Sequence, residues 1–436
     1  MDRRRGRTAH RSRTRPATVG LCLALVAGLL AACSSTAPTS ATATATSLPP
    51  IPAAAFSDHT GVTPTTVTVG NVTTQLAGLF TGGLVGTQAY AAYVNSQGGV
   101  DGRRIVVSAA DDRFKGALNR QATQAVIQDD FASVGGVTLE DSFSQPLVAA
   151  APGFPDVTGS LDPATQGLAN NFSPVPASDG WPTGPLLYVK AHYPTKIART
   201  ATIIANLPTT ELAWSHEKQA MQHLGYSVLL DPALPATTTD FTQQVVAMKD
   251  AGVQLLFLEQ EPQNYASAIF RDLSQQNFHP EVILGAPAYS PALVANAGGP
   301  AAVEGAYLEQ PASLYEGEDA GQIPAITTFT TWVQKVSPGF SPDYFTLVGW
   351  LCAELFTDAL RNAGPDPSRG SLLAALRRIT SFDSGNLVPV SDPAGKVPLT
   401  CYLLARVTGG TFQRLDDPPV SGPTHGYRCD GTYERG

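Results

Sequence analysis

Few residues in this chain are spaced for catalysis. His216-Glu217 begins like a zinc-protease helix, which needs a second His four positions after the first so that both imidazoles share one face. Ala220 stands there instead. Ser341 lies in Gly339-Phe340-Ser341-Pro342-Asp343 and lacks the second Gly of a sharp nucleophile turn. The seven His form no cluster and no Cys pair has metal-site spacing, so no catalytic residue, metal or cofactor is expected. The cysteines do other chemistry. Cys401 opens the apolar run Tyr402–Val407, and Cys429 lies in a Gly-rich tail with little else to hold it. In an oxidising compartment the two are expected to form a disulfide. Cys352 shares a helical apolar stripe with Val348 and Phe356 and reads as a buried thiol.

The oxidising compartment follows from the N-terminus. Seven Arg precede an apolar run from Ala17 to Ala32, too short for a comfortable bilayer span but suited to a secretory leader. Leu30-Ala31-Ala32-Cys33-Ser34-Ser35 follows and resembles the lipid-attachment box of bacterial lipoproteins, with Cys33 as the modified residue. The leader is therefore assigned to residues 1–32. An uncharged start rich in Ser, Thr, Ala and Pro marks residues 33–61 as a flexible tether. The leader carries seven Arg and one Asp, so its removal takes the net charge from -8 to -14. A body this acidic excludes nucleic acid as the main partner and leaves the lipid as the link to the membrane.

The remainder alternates strands and helices. Thr66–Gly70 reads as a strand, and Val85, Ala89, Ala92 and Tyr93 form one stripe of a 3.6-residue period. Gly98-Gly99 supplies positive φ at the helix exit, and Arg104–Ser108 is a second strand: a βαβ unit. Leu118, Ala122, Ala125 and Val126 suggest a further helix stripe, Ala132–Gly135 reads as a short buried strand, and Val148–Val157 suggests a helix end and another strand. A turn-rich break spans Ser178–Gly184, after which a second βα series runs to Leu284. A second break lies near Gly305–Ala312; helices follow, and the chain ends on a hairpin turning at Gly409-Gly410. The pattern predicts an α/β fold of two doubly wound parallel-sheet lobes.

The order TVTVG, GTQAYAAYVNSQGGVDGRRIVV and ADD, with Phe131–Gly136, Asp240-Phe241-Thr242 and Ala251-Gly252-Val253, resembles the type I periplasmic binding proteins. The likeness is to their leucine/isoleucine/valine-binding branch and spans about Val62 to Leu415. It implies two lobes joined by a three-stranded hinge that closes on a small solute: residues 62–180 with 310–380, and 181–309 with 381–436. It also implies a lipid-anchored, monomeric receptor on the extracytoplasmic face of the cell membrane. Such a receptor passes an amino acid, amide or related small acid to the permease of an ABC importer. A sensing lipoprotein signalling to a membrane partner is the alternative on the same fold.

Carried over residue by residue, the resemblance puts Thr73, Thr74 and Phe80, Thr138 and Ser142, and Thr158 and Ser160 on the first lobe's side of the cleft. The second lobe offers Asn206, Glu261 and Tyr289. The chain departs from the amino-acid binders near Pro287-Ala288, where the acid that meets the ligand's ammonium group is missing. Glu261 is either its substitute or a solvated charge ahead of Pro262, and Phe80, Trp181 and Tyr289 read equally as packing residues.

Overall fold

The computed structural model describes residues 48–75, 78 and 80–435; the leader, Cys33 and the tether as far as Ser47 lie outside them. The first βαβ unit is β1 (Thr66–Thr73), α1 (Thr81–Ser96) and β2 (Arg104–Asp111), its strands parallel with Val67 opposite Ile105. Gly98 and Gly99 end the helix with φ of 99° and 76°. A Cβ on Gly99 would stand 2.0 Å from the Arg103 carbonyl oxygen, so only glycine fits there. Next come α2 (Gly116–Asp129), β3 (Ser133–Val134), α3 (Asp141–Ala150), β4 (Asp156–Val157) and α4 (Pro163–Gln166). The first sheet is parallel, in the order β2-β1-β3-β4.

The chain then passes through β5 (Trp181–Pro182) and α5 (Gly184–His192) into the second series. This comprises β6 (Thr200–Thr202), β7 (Ile204–Ala205), α6 (Pro208–His223), β8 (Val228–Leu230), β9 (Ala233–Leu234) and α7 (Thr242–Ala251). It continues with β10 (Leu255–Leu258), α8 (Gln263–Gln275), β11 (Glu281–Leu284), α9 (Pro291–Asn296), α10 (Pro300–Val303) and β12 (Tyr307–Gln310). Helices α11 (Pro324–Val336), α12 (Tyr344–Ala363) and α13 (Arg369–Leu376) follow, then β13 (Leu403–Thr408), β14 (Thr411–Arg414) and β15 (Tyr433–Glu434). The second sheet runs β14-β13-β12-β11-β10-β6-β8, antiparallel only at the β13 and β14 end. Strand β15 pairs with β5, and Cys401 is bonded to Cys429 as expected. Cys352 is a buried free thiol. Among the described residues no helix is long and apolar enough to cross a membrane.

Helices α11 and α12 return to pack on α1. Glycines set how closely they do so: a Cβ on Gly86 would lie 1.9 Å from the Thr346 carbonyl oxygen, and one on Gly349 would lie 2.1 Å from that of Gly83. Burial therefore runs around α1 instead of along one stripe, with Leu84, Tyr90 and Ala91 inside as well as Val85 and Ala89. Helix α12 opens on a capping box in which Asp343 Oδ1 accepts the Thr346 N–H at 2.8 Å.

Four expectations need correction. Helix α2 buries Asn119, Thr123 and Val126, while Ala125 is exposed, because Asn119 turns inward to donate to Asp112. The break near Gly305–Ala312 contains strand β12, paired with β11 and β13. The tether ends sooner than residue 61. Ala53–Ser57 form a 3₁₀ turn on α13, and Arg369 Nη1 donates to Asp58 Oδ2 at 3.0 Å. The chain also stays with the first lobe past residue 381: Ser391 Oγ donates to the Pro174 carbonyl and the Leu399 N–H to that of Pro176.

A Gly86→Val substitution forces α12 off α1 and is expected to cost about 1–3 kcal/mol or more, the range for overpacked cores. Urea unfolding monitored by circular dichroism measures it; an unchanged midpoint would show that the interface yields freely. Replacing Cys401 and Cys429 together by Ser opens the loop they close and should cost about 3–4 kcal/mol in the same assay.

Candidate functional site

In parallel sheets a solute is bound beyond the carboxyl ends of the strands. At that edge of the first sheet the predicted hydroxyls are engaged within the protein. Thr73 donates to Asn71 Oδ1 at 2.7 Å, and its oxygen accepts the Val137 N–H at 3.3 Å. Thr74 donates to Asp112 Oδ1 at 2.7 Å, and Thr138 donates to Oδ2 of the same carboxylate. Ser160 donates to Asp141 Oδ2 at 2.6 Å, and Thr158 accepts from Asn171 Nδ2 at 3.2 Å. These groups hold the loops in shape, with their polar atoms turned onto protein partners. Ser142 is exposed at the start of α3, and Phe80 packs edge-on against Phe345 with centroids 4.5 Å apart.

In the second lobe Asn206 is exposed beyond β7. Tyr289 is wholly buried; its hydroxyl donates to Glu318 Oε2 at 2.6 Å, and its ring meets Tyr315 and Phe412 edge-on. Of its two readings, the packing one describes its position. Glu261 is not a solvated charge. It is 1 % exposed, Oε1 accepts the Ala205 N–H at 2.9 Å, and Oε2 has no partner. Burial pushes its carboxyl up to about 8, against the smaller opposing effect of the Ala205 N–H.

Sequence reasoning missed three further carboxyls. Leu258, Leu284 and Leu308 align across β10, β11 and β12, so Glu259 and Glu309 stand one residue further toward the carboxyl edge. Period-2 alternation puts both on the face that carries Phe257 and Tyr307. Helix α6 covers that face and turns Trp214, Glu217 and Met221 inward. Glu217 Oε2 accepts from Gln260 Nε2 at 3.2 Å and its Oε1 has no partner, while Glu259 has at most the Trp181 indole N–H as a donor. Burial raises all three acids above the carboxylate range, and Glu217 and Glu309 raise Glu259 further. Trp181 is close enough to Glu259 to oppose that rise. Glu309 in turn adds to the effect of burial in raising the phenol of Tyr344, the first residue of α12 on the other lobe. The available signal was an acid at an inward position of each apolar element: Leu255–Glu259, Tyr307–Gln310 and Trp214–Met221. Among the described residues no group of three or more His, Cys, Asp or Glu could hold a metal ion.

This architecture is that of a two-lobed α/β solute receptor. Residues 66–411 match the family described as periplasmic binding protein, and the chain belongs to that family, whose members bind solutes and are not enzymes. It is 26 % identical over 293 residues to Leu/Ile/Val-binding protein homolog 1 of Brucella suis, covering 64 % of this chain and 73 % of that protein. A fatty acid ABC transporter substrate-binding protein from Thermomonospora curvata superposes with a TM-score of 0.70 at 18 % identity, over 87 % of this chain and 95 % of that one. A branched chain amino acid ABC transporter from Thermus thermophilus with bound valine gives 0.69 at 16 % identity, over 82 % and 97 %. These two structures share the fold.

The buried acids set a pH dependence. Glu261 keeps its proton in the native state to about pH 8, whereas an unfolded Glu releases it near 4.5. The native state therefore binds the extra proton between these values, and its stability falls as pH rises through that window. Calorimetric unfolding should give a lower midpoint at pH 8.5 than at pH 5.5. Glu261→Gln should flatten the slope by up to about 1.4 kcal/mol per pH unit; an unaltered slope would rule out this assignment.

Proposed function

We propose that the chain is an extracytoplasmic receptor that captures a small polar solute between the carboxyl edges of its two sheets and delivers it to an ABC importer of the branched-chain amino acid and amide type. A lipid on Cys33 anchors it, and it acts as a monomer. Its lobes correspond to residues 62–180 with 310–380 and 181–309 with 381–436, adjusted for the segment to Leu399 that stays with the first. One observation carries the reading: Glu259 and Glu261 beyond the carboxyl end of β10, with Glu217 of the covering helix α6, are buried carboxyls whose acceptor sites are left unfilled. The matching family, Leu/Ile/Val-binding relatives and transporter-associated structures support it. Closure over a solute would give these groups partners and exclude water, strengthening each contact.

A solute that binds only the native state stabilises by mass action, about 2.7 kcal/mol at a hundredfold excess over Kd. Thermal-shift screening of the chain without residues 1–32 against amino acids, amides and small acids should therefore find concentration-dependent increases in the midpoint. No increase with any solute would remove the binding reading. For the anchor, Cys33→Ser should move the protein from the membrane to the soluble fraction of cells; retention at the membrane would exclude lipidation there. Deleting the gene should abolish uptake of the solute that binds, whereas unchanged uptake would favour the sensing alternative.

A further inference from the structure

We propose that Glu217, Glu259 and Glu309, beside Trp181, receive a cationic nitrogen of the solute, so that the solute is an organic amine or guanidine compound. This deepens the solute-binding reading and rests on it. The argument begins with Glu259, which is 5 % exposed and has at most the Trp181 indole N–H as a donor. A buried carboxyl ordinarily has its acceptor sites filled, and one indole N–H leaves most of those on Glu259 open. Glu217, 1 % exposed, adds an oxygen that has no partner.

The missing partner carries positive charge. Among the described residues no Lys or Arg acts on Glu217, Glu259 or Glu309, so three neighbouring acids have no counter-ion there. A metal ion does not suit them, because no group of acids among the described residues converges closely enough to hold one. An ammonium or guanidinium spreads its N–H bonds over separated oxygens. Trp181 adds an aromatic neighbour of the kind that favours cations.

The group is also placed to receive a solute. Glu309, Gln260 and Trp181 keep part of their surface exposed, and the charge of Glu309 reaches Tyr344 on the opposite lobe. The Glu259 backbone lies against Gly285, two residues before Pro287-Ala288, where an acid for an amino acid's α-ammonium group is missing.

Calorimetry and thermal unfolding of the mature protein with putrescine, agmatine, choline, leucine, acetamide, butyrate and Ca²⁺ test the proposal. At least one of the three organic cations should bind and raise the unfolding midpoint. Glu259→Gln and Glu217→Gln should each weaken that binding at least tenfold without lowering the midpoint of the unliganded protein. The neutral amides are isosteric and remove a carboxyl that lacks a counter-ion. Binding of leucine, acetamide or butyrate with none of the cations would overturn the cation assignment and leave the solute-binding reading standing. Binding of Ca²⁺ alone would overturn it too. If cations bind equally well to both variants, the site assignment fails. If no probe binds, both readings fail.

Discussion

Helices α1 and α12 meet with backbone against backbone. There is no room for a methyl group at Gly86 or Gly349, and a Cβ on Gly82 would stand 2.2 Å from Asp343 Oδ1. Much of the architecture depends on this contact. The two helices are separated in sequence by the parallel strands of the second sheet, so their packing obliges the chain to leave the first lobe and come back. A further crossing then carries it to β13, which completes the second sheet. Tyr90 and Trp350 seal the contact edge-on at 4.8 Å, and Phe329 of α11 reaches Trp350 at 5.5 Å. A two-lobed shape is thus a consequence of close helix packing between remote segments, and the N-terminus of α12 is delivered to the region between the sheets.

The first crossing is held from the far end of the chain. Strand β15 pairs with β5, Tyr433 donates to the Ser178 carbonyl at 2.6 Å, and Thr183 Oγ1 donates to that of Thr432 at 2.9 Å. Gly180 adopts φ of 133°, and a Cβ there would stand 2.0 Å from the Glu434 carbonyl oxygen. The Cys401–Cys429 bond ties this tail to β13's approach, and Arg428 pairs with Tyr402 through both backbone groups at 2.8 Å. The disulfide therefore secures more than a loose end. It fixes the strand that holds Trp181 beside Glu259, which links an extracytoplasmic covalent bond to the geometry of the carboxyl edge.

Features carried by local chemistry were legible in the sequence. The glycine exit at Gly98-Gly99, the Gly409-Gly410 hairpin and the alternation of strands and helices each follow from backbone preference or hydrophobic period. The face of α2 was misjudged because its inward position is taken by a polar residue, Asn119, whose partner Asp112 lies on another element. Strand β12 was hidden because Glu309 and Gln310 cut its apolar run to two residues directly after the Gly305 turn. The candidate site was less legible for a related reason. Whether a Thr hydroxyl faces a solute or a neighbouring Asp depends on tertiary placement, and Thr74, Thr138 and Ser160 all turned toward acids of the first lobe. Glu217 and Glu259 come together only through the packing of α6 on the sheet.

The chain's treatment of other buried charges shows why that acid group is unusual. Arg414 and Asp319, 8 % and 6 % exposed in their side chains, pair at 2.8 Å. Arg369 is satisfied by Asp58 and by the carbonyls of Ile127, Phe131 and Asp130. Lys396, whose ammonium is pushed down to about 8 by burial, still donates to the Gln166 carbonyl at 2.9 Å. Each of these pairings answers the desolvation cost that an isolated buried charge would incur. At the carboxyl edge of the second sheet the practice lapses, and acids gather without a base. Isosteric neutral residues would fold there at lower cost, because burying a proton-holding carboxyl without partners adds nothing to the core. A concentrated stability cost of this kind is reasonable where function requires unfinished bonds, and a solute bringing its own positive charge would complete them.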